Sequence, residues 1–261
     1  MSTHRPRVYL LDVEGTVAPI AFVYEQLFPY ARKHFADFLE ENFASDPDVQ
    51  KDISLLFEEN YLEREPGVPN MIPGRDEVQG NGLPGNGWSF TMGEPQSRET
   101  ALNYALWLME RDRKSTALKS LQGRIWKAGF ESGELKGILF ADVLSALKGW
   151  SNHARVAIYS SGSVEAQRLL FRYSIFGDLT GLITAHFDTR TGAKTDSASY
   201  AAIAAAMQVE PGEVRFYSDA VHELDPAREA GCETRLVVRE GNAPVEDAHD
   251  HAVADSFAQE L

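Results

Sequence analysis

At 261 residues, with 43% hydrophobic and 25% charged side chains, the chain has room for one large globular domain or for a domain carrying a smaller insertion. Its formal net charge of -14 argues against a nucleic-acid partner, because phosphate backbones are gripped by Lys and Arg; a small anionic substrate would need a local positive patch or a bound cation. No window reaches the ~18 uninterrupted apolar residues of a membrane helix, the opening MSTHRPR has no apolar leader, and the single Cys232 excludes an intrachain disulfide, so a cytoplasmic protein with no membrane partner is expected.

The first predicted element lies in VYLLDVEGT (8–16). Val8 to Leu11 form a continuous apolar run before Gly15, the pattern of a buried strand and its turn, which sets Asp12 at a strand's carboxyl end with Glu14 two residues on. In parallel sheets ligands gather at that edge, where the strand-to-helix loops converge. Taken alone, the two carboxylates suit a helix cap equally well. Residues 24–62 read as wholly helical, with Leu27, Phe28, Ala31, Phe35, Phe38 and Leu39 along one apolar face. PGRDEVQGNGLPGNGW (73–88) spells G-x-G-x-x-G at Gly80, Gly82 and Gly85, but no strand precedes it and Pro84 interrupts it, so it reads as a surface loop. ETALNYALWLMERD (99–112) is a further amphipathic helix. ERDRKSTALKSLQGRIWK (110–127), rich in Arg and Lys, is either a solvated helix face or the local positive patch.

Four more apolar runs follow: VAIY (156–159), LIT (182–184), VRFY (214–217) and RLVV (235–238), with helical patterns in VEAQRLLFRYSIF and SASYAAIAAAM. Strands alternating with helices predict an α/β fold with a doubly wound parallel sheet. DPAREAG predicts a short helix with Asp225 as its cap, Pro226 at the first helical position and Gly231 past the end. Cys232 reads as a small buried residue after that helix, and DAHDHAV as a solvated tail. About 145 residues separate the first two strands, far more than one crossover helix needs. The expected organisation is therefore a catalytic α/β core from residues 1–22 and 116–261, with an inserted helical cap at 23–115.

The strand ends carry a common chemistry. VAIY leads into Ser160 and Ser161, VRFY leads toward Asp219, and Lys194 follows LIT by a loop. Each has a structural reading by itself: Ser163 with Glu165 looks like a helix cap, Asp219 like a turn former, and Lys194 is one of 25 basic residues. Together they match phosphoryl transfer. A carboxylate can attack phosphorus to form an aspartyl-phosphate. That encounter of two anions calls for a divalent cation, and Asp12 and Asp219 offer it hard oxygen ligands. Lys194 and the serine hydroxyls would hold the phosphoryl oxygens, and Glu14 is placed to move the leaving group's proton.

D-x-[DE]-G-T, a serine at the second strand end, a downstream lysine and a terminal acidic motif resemble the haloacid dehalogenase superfamily of phosphatases. More closely, DVEGT, FVYEQLFPYAR, DRKSTALKSLQGRIWKAGFESGELKG, IYSSGSVEAQRLLF, FDTRTGAKTDSASY and SDAVHELDPAREAG resemble the enolase-phosphatases of methionine salvage, across most of the chain outside residues 45–98. The glycine-rich segment at 73–88 departs from that family's pattern. The resemblance implies a haloacid dehalogenase-like core, a Mg²⁺ requirement, a monomer, and a small phosphorylated metabolite as partner, namely 2,3-diketo-5-methylthiopentyl 1-phosphate, enolised and then dephosphorylated to the acireductone. It implies that Asp12 is nucleophile and metal ligand, that Glu14 is the acid/base and lends its main-chain carbonyl to the metal, and that Ser160, Ser161 and Lys194 contact phosphate. Asp219 would complete the metal site and Glu223 would act on it through its ligands. His222 is a candidate for assisting enolisation, set against a structural role. Two alternatives stand beside this reading: a phosphatase of another small ester differing in its cap, and a phospho-acceptor signalling domain, in which a cap has no role.

Overall fold

A computed structural model of the protein describes residues 5–71, 95–245 and 249–260; the Gly80, Gly82 and Gly85 fingerprint lies outside them. The chain divides into two compact units, Met1–Gln26 with Gly129–Leu261, and Leu27–Ala128. Strand β1 (Val8–Leu11) leads to one turn of helix, α1 (Ile20–Phe22), and a π-helical turn at Val23–Leu27.

The Leu27–Ala128 unit is helical among its described residues: α2 (Phe28–Asn42), α3 (Pro47–Leu62), α4 (Pro95–Glu110) and the greater part of α5 (Thr116–Ser132). Phe35, Leu39, Ile53, Leu56, Tyr104 and Leu121 form its centre. The helix expected over 24–62 is broken at Asp46, because Pro47 disfavours helical backbone in the residue before it. Asp46 turns that break into a cap, its carboxylate accepting from the main-chain N–H of Asp48 at 2.8 Å and of Val49 at 3.3 Å. The basic stretch at 110–127 spends its arginines within this unit: Arg111 pairs with Glu65, Arg113 with Glu63 and Glu65, and Arg124 with Asp46, Asp48 and Asp52.

The other unit is an open α/β sheet. After α6 (Val143–Ser151) come β2 (Arg155–Tyr159), α7 (Val164–Arg172), β3 (Ala185–Phe187), α8 (Ser197–Ala206), β4 (Val214–Ser218), α9 (Val221–Glu229), β5 (Glu233–Val237), β6 (Ala252–Ala254) and a closing 3₁₀ turn at Phe257–Glu260. The strands lie in the order β3-β2-β1-β4-β5-β6, every neighbouring pair parallel. β1 is the hub. The chain moves from it outward through β2 to β3, crosses back, and moves outward again from β4 to β6. A crevice opens at such a reversal, outside the carboxyl ends of the two diverging strands. Here those strands are β1 and β4, with Leu11 opposite Tyr217 and β4 running one residue further to Ser218.

Three local expectations are corrected. The strand read at LIT lies three residues later: Thr180–Leu182 form a 3₁₀ turn, and β3 follows at Ala185–Phe187 as a half-buried edge strand whose weak apolar signal the preceding run outweighs. Helix α9 starts at Val221, directly behind β4, so Asp225 is inside it rather than its cap, and Pro226 gives up one internal hydrogen bond. The Asp225 carboxylate instead meets Arg228 and His251, while Gly231, at φ +98°, ends the helix as expected. The described part of DAHDHAV, residues 249–253, is not a solvated tail. His251 is buried, with Nδ1 2.7 Å from Thr234 Oγ1 and Nε2 3.1 Å from Asp225 Oδ1, and Ala252–Ala254 add the sixth strand. Cys232 is buried as expected, and burial pushes its thiol up to about 12.

Asp142, ahead of α6, ties this unit's closing turn to the sheet. Burial opposes its ionisation, but Arg239, the Phe257 N–H and Ser256 all donate to it, and its pKa lies below the ordinary carboxylate range. A depressed folded-state pKa contributes stability above the ordinary value near 4 that is lost as pH falls through the lower folded value. Asp142→Asn should therefore lower the stability of the protein by about 2 kcal/mol at neutral pH, and the gap from wild type should close below pH ~4. Thermal unfolding of both proteins across that pH range measures it.

Candidate active site

Asp12 closes β1, its N–H still donating to Tyr217 O at 2.9 Å, so its position is set by the sheet. The residue is 3% exposed. The next residues fold into a tight turn in which Val13 O accepts from the N–H groups of Thr16, Val17 and Ala18, and Gly15 N–H donates to Ala18 O. Gly15 has φ +71°, which favours glycine, and a Cβ there would run into the Asp219 carboxylate. The turn thus brings the acid after β4 against the acids after β1.

Lys194 enters from the loop between β3 and α8. Its Nζ lies 2.5 Å from Asp12 Oδ1 and 2.5 Å from Glu223 Oε2, and its side chain is only 9% exposed. Three hydroxyls staple that loop: Tyr159 donates to Gly192 O at 2.9 Å, Ser199 to Ala193 O at 2.8 Å, and the Tyr200 phenol lies 2.8 Å from Lys194 O and 2.9 Å from Glu223 O. Burial works against the Lys194 ammonium, yet Asp12 and Glu223 outweigh it and its pKa is raised. For Asp12, burial raises the pKa and the carboxylates of Glu223 and Glu14 add to it, with Lys194 pulling the other way.

Ser160, 1% exposed, donates from Oγ to Glu14 Oε2 at 3.1 Å and accepts from Gly162 N–H at 3.0 Å. Glu14 therefore has a fixed carboxyl orientation while its main-chain carbonyl takes no part in the turn's ladder. Ser218 donates to Glu223 Oε2 at 2.9 Å. Asp219 finds no side-chain donor among the described residues, and burial, followed by the charge of Glu223, pushes it up to about 6.

The structure brings together Asp12, Glu14, Ser160, Lys194, Asp219 and Glu223. Ser161 follows Ser160 at the same edge but is exposed, and His222 is exposed on α9. Tyr200 and Ser218 were not among the sequence candidates; both read as core positions of a helix or strand, and only the fold reveals the hydroxyl's partner. Four carboxylates and one ammonium leave an excess of negative charge, and Asp219 has no side-chain donor among the described residues. That excess fits a divalent cation held by the Asp12 and Asp219 carboxylates and the Glu14 carbonyl. Among the described residues, no three His, Cys, Asp or Glu side chains converge as a ready-made cage.

The family model for haloacid dehalogenase-like hydrolases matches residues 6–231. An enolase-phosphatase E1 of Synechococcus elongatus is 48% identical over 238 residues, covering 91% of this chain and 90% of that protein. The chain belongs to the enolase-phosphatase family of haloacid dehalogenase-like hydrolases. The family extends to animals: an enolase-phosphatase E1 of Danio rerio is 40% identical over 256 residues, 97% of this chain and 94% of its own. The crystal structure of the UTR4 protein from Saccharomyces cerevisiae matches with a TM-score of 0.72 at 33% identity, over 97% of this chain and 99% of that one. The doubly wound haloacid dehalogenase-like fold expected from the strand-end motifs is thus the one observed.

Removing Lys194 would leave Asp12 and Glu223 buried without their shared counter-charge. Lys194→Met should cost about 3–5 kcal/mol of stability. Asp12→Asn relieves like-charge repulsion and keeps the Lys194 contact to Glu223, so its unfolding temperature should equal or exceed that of wild type. Calorimetry of both variants in the absence of divalent cations makes the comparison.

Proposed function

We propose that the protein is a Mg²⁺-dependent enolase-phosphatase of methionine salvage, which enolises 2,3-diketo-5-methylthiopentyl 1-phosphate and then releases phosphate to give the acireductone. The observation that carries this reading is the single ammonium of Lys194 shared between Asp12 and Glu223 at a strand edge where Glu14 and Asp219 also converge. Family membership supports the substrate, and hard oxygen donors support Mg²⁺. The helical unit Leu27–Ala128 is read as the cap.

In the phosphatase step, Lys194 engages one oxygen of Asp12, and the other attacks phosphorus. The bond from phosphorus to the ester oxygen breaks as an aspartyl-phosphate forms, and Glu14 gives its proton to the departing oxygen. Glu14 then takes a proton from water, which attacks the same phosphorus, and the bond to Asp12 breaks to release inorganic phosphate. Ser160, held between Glu14 and the Gly162 N–H, keeps the acid/base in place and presents its hydroxyl beside the transferring group. Lys194 and Ser161 complete the contacts to phosphoryl oxygens. A cation bound by Asp12, Asp219 and the Glu14 carbonyl supplies charge screening to the phosphate and to the enolate oxygens.

Asp12→Asn should cut phosphate release by more than about 100-fold while the enol absorbance still develops on the diketo substrate with Mg²⁺ present. Phosphate and ultraviolet absorbance followed in parallel test both halves. Phosphate release at the wild-type rate in Asp12→Asn overturns the nucleophile. A wild-type enzyme that ignores this substrate and hydrolyses another phosphate ester retains the phosphatase step and replaces the substrate.

A further inference from the structure

The turn that carries Glu14 and Gly15 is held from outside by a loop that contributes nothing to the chemistry described above. Inside the turn, Val13 O takes three N–H donors and Ala18 O takes the Gly15 N–H. Two carbonyls, those of Gly15 and Thr16, find their donors in the loop after β5. Asn242 Nδ2 donates to Gly15 O at 2.9 Å, and the Arg239 guanidinium reaches Thr16 O with two nitrogens at 3.3 Å.

Neither donor is adventitious. The Arg239 side chain is 7% exposed and lies between the rings of Phe140 and Phe257, 4.7 and 4.6 Å from their centroids. Its remaining donors go to Asp142 Oδ2 at 2.8 Å and Asp255 O at 3.2 Å, so the guanidinium plane is fixed before it meets Thr16. The Asn242 amide has one possible orientation, since a carbonyl can only accept; its Oδ1 is buried with no partner among the described residues. Asn242→Ala therefore deletes a single hydrogen bond.

The geometry points to Asn242 and Arg239 as positioning residues of this active site, fixing the peptides on either side of Thr16 and through them the main-chain carbonyl of Glu14. In a trans peptide the C=O and N–H point opposite ways. With Gly15 N–H committed to Ala18 O, the Glu14 carbonyl faces away from the turn's interior, and pinning the next two peptides removes the rotation that would take it elsewhere. The Asp219 carboxylate rests on Gly15 itself, so the same restraint sets the separation between the acids after β1 and β4. This inference rests on the reading of Asp12, Glu14 and Asp219 given under Proposed function.

The test uses the full-length protein and two readouts. Asn242→Ala should lower kcat on the diketo phosphate by about tenfold or more with KM within about twofold, because a small misplacement at the reacting centre weakens the transition state more than binding. Mn²⁺ binding to the metal-free protein, followed by electron paramagnetic resonance, should weaken by about tenfold. The unfolding temperature should move by no more than about 3 °C, the cost of one part-exposed hydrogen bond. Asn242→Asp, which sets a carboxylate oxygen against the Gly15 carbonyl, should exceed Asn242→Ala in both effects. Wild-type kcat and Mn²⁺ binding in folded Asn242→Ala overturn the proposal, as does a lowered unfolding temperature with both unchanged per folded molecule. Asp12→Asn assayed alongside separates the two levels: turnover surviving there removes the site reading, whereas an inactive Asp12→Asn beside an unimpaired Asn242→Ala removes only the positioning role.

Discussion

Among the described residues, Lys194 is the one positive charge in a buried group of acids, and the site is organised around it. A carboxylate as well buried as Asp12 is costly to ionise, and two of them near each other are costlier still. An ammonium 2.5 Å from both Asp12 and Glu223 lets the three groups share a low-dielectric pocket. The compensation works only while the long lysine stem is held, which explains why three hydroxyls, from Tyr159, Ser199 and Tyr200, are spent on the main chain of its loop. Tyr200 serves both partners, since its phenol also meets the main chain of Glu223. Even so the charges do not balance, and the uncompensated remainder falls on Asp219. Local stability is thereby given up at this strand edge.

The sheet makes this arrangement possible. Placing β1 between β2 and β4 puts three strand ends beside one another, and the reversal of direction between β1 and β4 opens the sheet edge at Asp12 and Asp219. Each strand then delivers one kind of group: β1 the acids Asp12 and Glu14, β2 the serines, β4 the Asp219 carboxylate. β3 is an edge strand and leaves enough loop before α8 for a flexible side chain to reach back across β2. A lysine suits that place, because its reach makes up for the distance that a short carboxylate could not span.

How much of this the sequence discloses depends on the range of the interaction concerned. Asp12, Glu14, Ser160 and Asp219 are legible because each directly follows an apolar strand, so a local pattern fixes its place in the sheet. Lys194 is legible only in combination, as a loop residue whose significance comes from the others. The position of β3 is obscured because Leu182 and Ile183 carry more apolar weight than the half-buried strand behind them. Asp225 and Pro226 mimic a helix start inside α9, and position within a helix depends on where β4 ends, a tertiary fact. His251 and β6 are hidden for a similar reason: polar side chains in a histidine- and aspartate-rich stretch look solvated until Thr234 and Asp225 supply their partners. Arg239 and Asn242 give no local signal, since each acts on a main-chain carbonyl more than 220 residues away in sequence.

The two acids of the first turn illustrate how one short motif yields two environments. They are separated by a single residue, yet the fold gives them different neighbours: an ammonium for Asp12, a serine hydroxyl for Glu14. An ammonium favours the carboxylate form, so Lys194 offsets part of the rise in pKa that burial, Glu223 and Glu14 impose on Asp12. A hydroxyl is less committing, because it can donate to a carboxylate or accept from a carboxylic acid by rotating its own proton. Ser160 can thus remain bonded to Glu14 whether the carboxyl is ionised or protonated. Different surroundings for paired carboxylates are a general way of dividing labour between them. Here the division follows from strand order, since β2, which carries Ser160, lies beside β1, while Lys194 arrives from beyond it.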